Sequence, residues 1–487
     1  MEGDMYENLL EVDEGKTESL SSAWDKIWSE TKQMWIVAGP AILVPFSTFG
    51  IIVISQAFIG QIDSTELAAY SLVYTVIFRF VLGLQFGMVT GVGTLCGQAF
   101  GAKLYHKLGV YLQQSCIISL GVTALMTPLF VFAAPILKAL GQDHNIADMA
   151  GKYSPWFVAV AFLYAVMYSC NAFLQSQSKN FVVSFYAVLS LVVHVFLSWL
   201  LSVKLRYGVI GVMVSTVMAF LIPNIGQIVY IMRGGCQETW RGFTASAFKD
   251  LGRTTRLAIS SGVMICLEFC YSTILIPLTG NMGNAEVTID ALSICLNISG
   301  WAMMISVGFM ASTSVRVSNE LGRRDGKAAK LSIMVAVGTS FSIGLVVCVF
   351  FVVFRENAAY LFTNNEEVAK AVARLSPLLV LLLLLNSVQP VLSGFANGTG
   401  QQGIVAYVNL ASYYLIGLPL GILLGYVFNL EVEGVWIGII SGTAVQTAIL
   451  VLMTCMADWN KQISLAQKRI SPPSAEDETT HHSTNPH

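Results

Sequence analysis

Within "GVMICLEFCYSTILIPL", residues 262–278, one acid stands alone in an otherwise uncharged and mostly apolar run. Glu268 lies about 11 residues from either end of its apolar span, 257–279, roughly 16 Å deep at about 1.5 Å per residue of helix. An ionised carboxylate in hydrocarbon costs several kcal/mol, so the group should face a protein interior or a water-filled cavity. Two readings are open. Glu268 is a group that exchanges a proton in mid-membrane, or it is a protonated acid hydrogen-bonded to a neighbouring helix with no further role. Tyr271 and Ser272, three and four residues on, extend a polar stripe along the same helical face.

A second polar interruption falls in "LLLLLNSVQPVLSGF", where Asn386 and Gln389 sit three apart on one face and Pro390 removes a backbone donor. A kink with exposed polar groups is expected there. Asn297 in "SICLNISGW" and the pair Tyr413 and Tyr414 are further candidates for a cavity wall, set against plain inter-helix bonding or packing. Arg79 is either deeply buried or at the membrane surface, depending on where its helix begins. His194 reads as a titrating group or as a satisfied packing residue. No phosphate-binding loop, catalytic triad or metal-ligand spacing is present, so neither an enzyme nor an ATP-driven pump is supported, and no metal or cofactor is implied.

The elements that hold these residues are membrane helices. Of the 487 residues 55% are hydrophobic and 11% charged, with a mean hydropathy of +0.67, far from the composition of soluble domains. Apolar runs of about 20 residues, each enough to cross the bilayer, fall near 36–60, 69–94, 109–134, 156–176, 181–203, 208–232, 257–279, 290–314, 331–354, 375–396, 403–427 and 434–457. The runs are continuous rather than alternating, which in lipid means helices. The expected fold is all-α, with twelve transmembrane helices. Glu268 is the only acid in the interior of those spans, Asp290 falling on the first residue of one. Of the 27 Lys and Arg residues, 19 fall in the two tails and the even-numbered loops, and 7 in the opposite loops. That asymmetry puts both termini in the cytosol. The acidic start shows no cleavable signal peptide, and the nine cysteines, mostly inside spans, suggest no disulfide framework.

The sequence repeats itself at an offset of about 221 to 223 residues. "GMVTGVGTLCGQAFGAK" aligns with "GFMASTSVRVSNELGRR", which places Gly87 on Gly308, Gln98 on Asn319 and Gly101 on Gly322. "NAFLQSQSK" aligns with "SGFANGTGQ", which places Phe173 on Phe395 and Gln175 on Asn397. Six spans per repeat give two lobes related by an axis along the membrane normal, with a site expected between them near the midplane. The expected divisions are a cytosolic N-terminal tail with an amphipathic lead-in (1–32), an N-lobe (33–232), a basic linker (233–256), a C-lobe (257–457) and an unstructured cytosolic tail (458–487). Glycines and charges in the loops after the second and eighth spans read as structural.

Taken together, "TLCGQAFGA", "SVRVSNELG", "CLEF", "NSVQPVLSG" and "NLASYYLIGLPLG" resemble plant members of the multidrug and toxic compound extrusion (MATE, or DETOXIFICATION) family, over about residues 33 to 460. The resemblance implies a V-shaped, alternating-access antiporter of the MOP superfamily, with two pseudo-symmetric six-helix lobes. It implies proton-coupled, rather than sodium-coupled, export of small organic substrates: flavonoids, alkaloids, xenobiotics or organic acids. The family's proton-coupling glutamate in the seventh helix falls on Glu268. Other acids of the family are replaced here by Thr273, Asn386 and Gly93, which points to the flavonoid-type branch and leaves one titrating group. An anion channel or uniporter on the same fold is the alternative that this loss suggests. Membrane lipids are the expected surroundings of a monomer, with no nucleic-acid partner. "YENL" at Tyr6–Leu9 and the Leu9-Leu10 pair, with the branch resemblance, point to the vacuolar membrane over the plasma membrane.

Overall fold

The computed structural model describes the backbone of residues 2–279, 285–361 and 365–470, and side chains for residues 24–271, 273, 287, 291–354, 359–360 and 365–470. The sorting motifs at Tyr6–Leu10 and the side chain of Ser272 lie outside the described residues. In chain order the long helices are α1 (Glu2–Ile62), α2 (Ser64–Gly101), α3 (Tyr105–Val131), α4 (His144–Ser176), α5 (Asn180–Lys204), α6 (Gly208–Gly235), α7 (Leu251–Thr279), α8 (Ala285–Gly322), α9 (Gly326–Ala358), α10 (Glu366–Thr399), α11 (Gln402–Val427) and α12 (Glu431–Cys455). Among the described residues eleven of these are long and apolar enough to cross a membrane. The remaining one, α7, occupies the place of the seventh expected span.

Each half has its own core. Phe78, Phe157, Tyr164 and Phe220 meet between α2, α4 and α6. Leu379, Leu383, Tyr413 and Trp436 meet between α10, α11 and α12. Lipid tails are as apolar as these side chains, so close packing rather than expulsion from water holds such helices together.

The lobes join along α1 against α8 and α2 against α7, and at the base-rich end α2 meets α8 directly. There the sequence repeat becomes visible as geometry. Gln98 Nε2 donates to the Gly398 carbonyl at 3.1 Å, and its counterpart Asn319 Nδ2 donates to the Ser176 carbonyl at 3.3 Å. Gly101 lies against the Asn319 backbone and Gly322 against that of Gln98, so closely that a Cβ on either would overlap a carbonyl oxygen. Reciprocal contacts of this kind are what a two-fold axis through the seam produces. The halves are therefore two six-helix lobes related by pseudo-symmetry. Contacts continue to Phe49 on Trp301, with ring centroids 5.0 Å apart, and to Arg79 over Phe269, so the seam is closed over the base-rich part of its length.

Two expectations need correction. The tail is not unstructured from residue 458: Trp459–Ile470 forms a helix, α13. Gln462, Ala466 and Ile470 share its buried face while Lys461 and Lys468 stay exposed, an amphipathic period that the polar composition masked. Residues 471–487 lie outside the described residues. The second concerns the boundary at residue 32: the amphipathic lead-in runs without a break into α1, through Pro40 and Pro45, with Trp24, Trp28 and Trp35 exposed on one face.

Candidate functional site

Glu268 sits near the middle of α7, beside helices α10 and α11 of its own lobe. Gln389 of α10 lies beside its carboxyl, and Gln389 Nε2 donates to Ser393 Oγ at 3.2 Å, one turn further along the same helix. One carboxyl oxygen, Oε2, is buried with no hydrogen-bond partner. An unpartnered buried oxygen is costly as an anion, whereas the neutral acid can carry its hydrogen there. The opening anomaly thus has a local form: a carboxyl with a buried oxygen that has no donor.

Tyr413 of α11 packs on α7 at Tyr271, one turn from Glu268. Its hydroxyl donates to Gln446 Oε1 of α12 at 2.8 Å, Gln446 Nε2 donates to Asn409 Oδ1 at 2.8 Å, and Asn409 Nδ2 returns to the Met264 carbonyl of α7 at 3.0 Å. The chain of bonds ties three helices together around the acid. Tyr271 stacks on Tyr413 with centroids 4.3 Å apart and planes 13° from parallel, and its hydroxyl reaches the Gly438 and Ile439 carbonyls. Tyr414 donates to the Leu267 carbonyl at 2.9 Å. The α11 residues Leu410–Gly417 that present both tyrosines form wide π-helical turns, a deformation frequent at functional sites.

The structure brings four of the sequence candidates together near Glu268: Gln389, Tyr271, Tyr413 and Tyr414. Asn386 stands apart. Its amide points to Ser299 of α8 at 3.4 Å, beside a pocket of about 20 Å³ lined by Ser306, Gly344 and Ser387. Asn297 is exposed, its amide turned back to the Ser293 carbonyl of its own helix. His194 is fully buried in the N-lobe, with Ser55 on Nε2 and Ser215 on Nδ1, and so has the surroundings of a packing residue. Arg79 is not at a helix end. It lies well inside α2 with its guanidinium 5.9 Å from the Phe269 ring centroid, next to Glu268 in sequence but across the seam.

Sequence reasoning missed two features. Asn409 and Gln446 complete the network, yet each stood alone in an apolar run and carried no spacing signal. The other is an ion cluster at the base-rich end. Arg316 of α8 holds both carboxyl oxygens of Glu30 of α1, at 3.0 and 2.7 Å, and Ser332 Oγ of α9 adds a third donor to Glu30. Glu320 lies 3.2 Å from both Arg316 and Arg323. These charges read as loop and tail residues because hydropathy marks only the apolar part of a helix that continues beyond it.

Comparison with known proteins is consistent along the chain. The family model described as MatE matches residues 40–200 and 261–423, one stretch in each lobe. Protein DETOXIFICATION 22 and Protein DETOXIFICATION 21 of Arabidopsis thaliana are each 52% identical, over 92% of this chain and 90% of theirs. Among solved structures, that titled "Crystal structure of eukaryotic MATE transporter AtDTX14" superposes with a TM-score of 0.87 at 32% identity, covering 92% of this chain and all of that one. A second, titled as the outward-facing conformation of a multidrug resistance MATE family transporter of the MOP superfamily, gives 0.80 at 17% identity and so speaks to the fold alone.

Proposed function

This chain belongs to the MatE family of multidrug and toxic compound extrusion transporters, and from that premise we propose that it exports small organic compounds by proton-coupled antiport, with Glu268 as the coupling acid. The observation that carries the reading is the buried, unpartnered carboxyl oxygen of Glu268. In this arrangement, closed at the base-rich end, Oε2 has no donor, which suits the neutral acid. Loss of the proton leaves an anion that is better served by a conformation offering water or a cation. A ligand shifts such an equilibrium only by its differential affinity for the two states, and here the proton is that ligand.

The network supplies the means. Gln389 and Tyr413 belong to α10 and α11, so a change in charge at Glu268 bears on both helices at once. The wide turns at Leu410–Gly417 give α11 a place to yield. Substrate leaves as protonation repacks this face of the C-lobe, and deprotonation restores the charged site.

The two Arabidopsis relatives carry DETOXIFICATION names, and the substrate class proposed here is correspondingly broad: flavonoids, alkaloids, xenobiotics or organic acids. We place the chain in the vacuolar membrane with both termini cytosolic, on the base asymmetry and the N-terminal motifs. Protons then leave the acidic lumen as substrate enters it. Proteoliposomes with an imposed proton gradient test the reading. Gradient-driven uptake of ethidium or a flavonoid glucoside by the intact chain should fall to background in Glu268→Gln, and retention of that uptake would overturn it.

A further inference from the structure

At the base-rich end, beside the α2–α7 part of the seam and away from Glu268, a cavity of about 1530 Å³ opens between α3, the linker and first turns of α7, and the ends of α11, α12 and α13. Its walls are strongly basic. Arg241, Lys249, Arg253, Arg256 and Lys461 line it, are exposed, and have no ion-pair partner among the described residues. Lys107 and Arg469 also line it but are engaged: Lys107 donates to the Ile470 carbonyl, and Arg469 to the Thr399 and Gly400 carbonyls at 2.6 and 3.1 Å. Only two carboxylates, Asp250 and Asp458, face the same space.

Five unpaired cations against two acids would be an ordinary solvated face if they lay on a convex surface. They line a concavity, where low-dielectric walls concentrate the field on an anion. The walls are also amphipathic. Leu452, Met456 and Ile404 are exposed at 59%, 81% and 55% and line the same cavity, with Leu257 and Leu465 beside them. Cations beside exposed apolar side chains, at the ends of membrane helices, match a molecule with a phosphate head and hydrocarbon tails. A free phosphate would use the cations and leave the apolar side chains unexplained.

We propose that this cleft binds the headgroup of an anionic phospholipid carrying more than one negative charge, as a phosphoinositide does, with its acyl chains against the apolar residues of α11 and α12. Arg253 and Arg256 on the first turns of α7 are the principal contacts. The lipid would bridge α3 of one lobe and α12 of the other, and so bear on how the lobes sit at this end.

Native mass spectrometry of the full-length chain, released from micelles containing phosphatidylinositol 4-phosphate or phosphatidylcholine, tests the site. The intact chain should retain the phosphoinositide over phosphatidylcholine, and Arg253→Gln/Arg256→Gln should weaken that retention by roughly tenfold or more, since each basic residue near a charged membrane surface contributes about fivefold. Arg253→Lys/Arg256→Lys should restore it, which separates loss of the site from loss of folding. Soluble inositol 1,4-bisphosphate should compete weakly. Equal retention of the two lipids, no difference between the intact chain and the Gln variant, or competition by soluble headgroup as strong as that of the lipid would each overturn the proposal.

Discussion

At the scale of residues, the central fact is that the acid stands beside a network without a bond to it. Tyr413 Oη, Gln446 and Asn409 form a run of bonds ending on the Met264 carbonyl of α7, one turn before Glu268. Removing one hydroxyl leaves a buried acceptor without its donor, at a cost of about 1–3 kcal/mol. Tyr413→Phe should therefore lower the thermal midpoint of the purified chain measurably, whereas Tyr414→Phe, whose half-buried hydroxyl ends on a single carbonyl, should lower it less. Glu268 was legible in the sequence because a charge in hydrocarbon is an energetic anomaly wherever it falls. Gln389 was legible by its spacing from Asn386. Asn409 and Gln446 were not, because a lone amide in an apolar run announces neither its partner nor the face it turns inward.

At the scale of elements, the α2–α8 crossing is the part most plainly shaped for reversible closure. Its helices approach at Gly101 and Gly322, its flanks are bonded across the seam by Thr94 and Gln98 to α10 and by Asn319 to α4, and several polar atoms there have no partner: Gln98 Oε1, Asn319 Oδ1 and both side-chain atoms of Asn397 of α10. Partly satisfied polar groups limit how far such a seam can favour the closed state. Gly322→Ala should hold the helices apart, so that a cysteine placed at Ser318, buried against Gly97, reacts several-fold faster with a membrane-impermeant maleimide than in the parent chain. Unchanged labelling would mean that this crossing is not the closing element. The Glu30–Arg316 pair makes a separate case. Both side chains are nearly buried, at 8% and 10% exposure, and stripping one partner from such a pair costs about 3–5 kcal/mol. Arg316→Ala should sharply reduce folded yield in detergent, with partial recovery in the exchanged pair Glu30→Arg/Arg316→Glu. Helix positions and the repeat were readable from apolar runs, because the bilayer fixes the length of a span. The extension of α8 to Gly322 and the docking of α13 were not readable, since both lie where polar composition looks the same for packed and solvated chain.

At the scale of the whole molecule, pseudo-symmetry is what would turn the proposed proton event at Glu268 into transport. The same contacts occur twice, Gln98 with Gly398 and Asn319 with Ser176, but a mid-helix acid with a buried unpartnered oxygen is seen in the C-lobe. Under the proposal, one lobe changes with its proton and the other serves as its counterpart. Arg79, from the N-lobe, lies over the Phe269 ring, next in sequence to that acid. The most direct test is to follow protons rather than substrate. In proteoliposomes preloaded with acid buffer and a trapped pH dye, adding a transported substrate outside should release protons from the lumen with the intact chain. Glu268→Gln, which fixes the neutral form, should abolish that release. Substrate-dependent proton release that survives in Glu268→Gln would contradict the account.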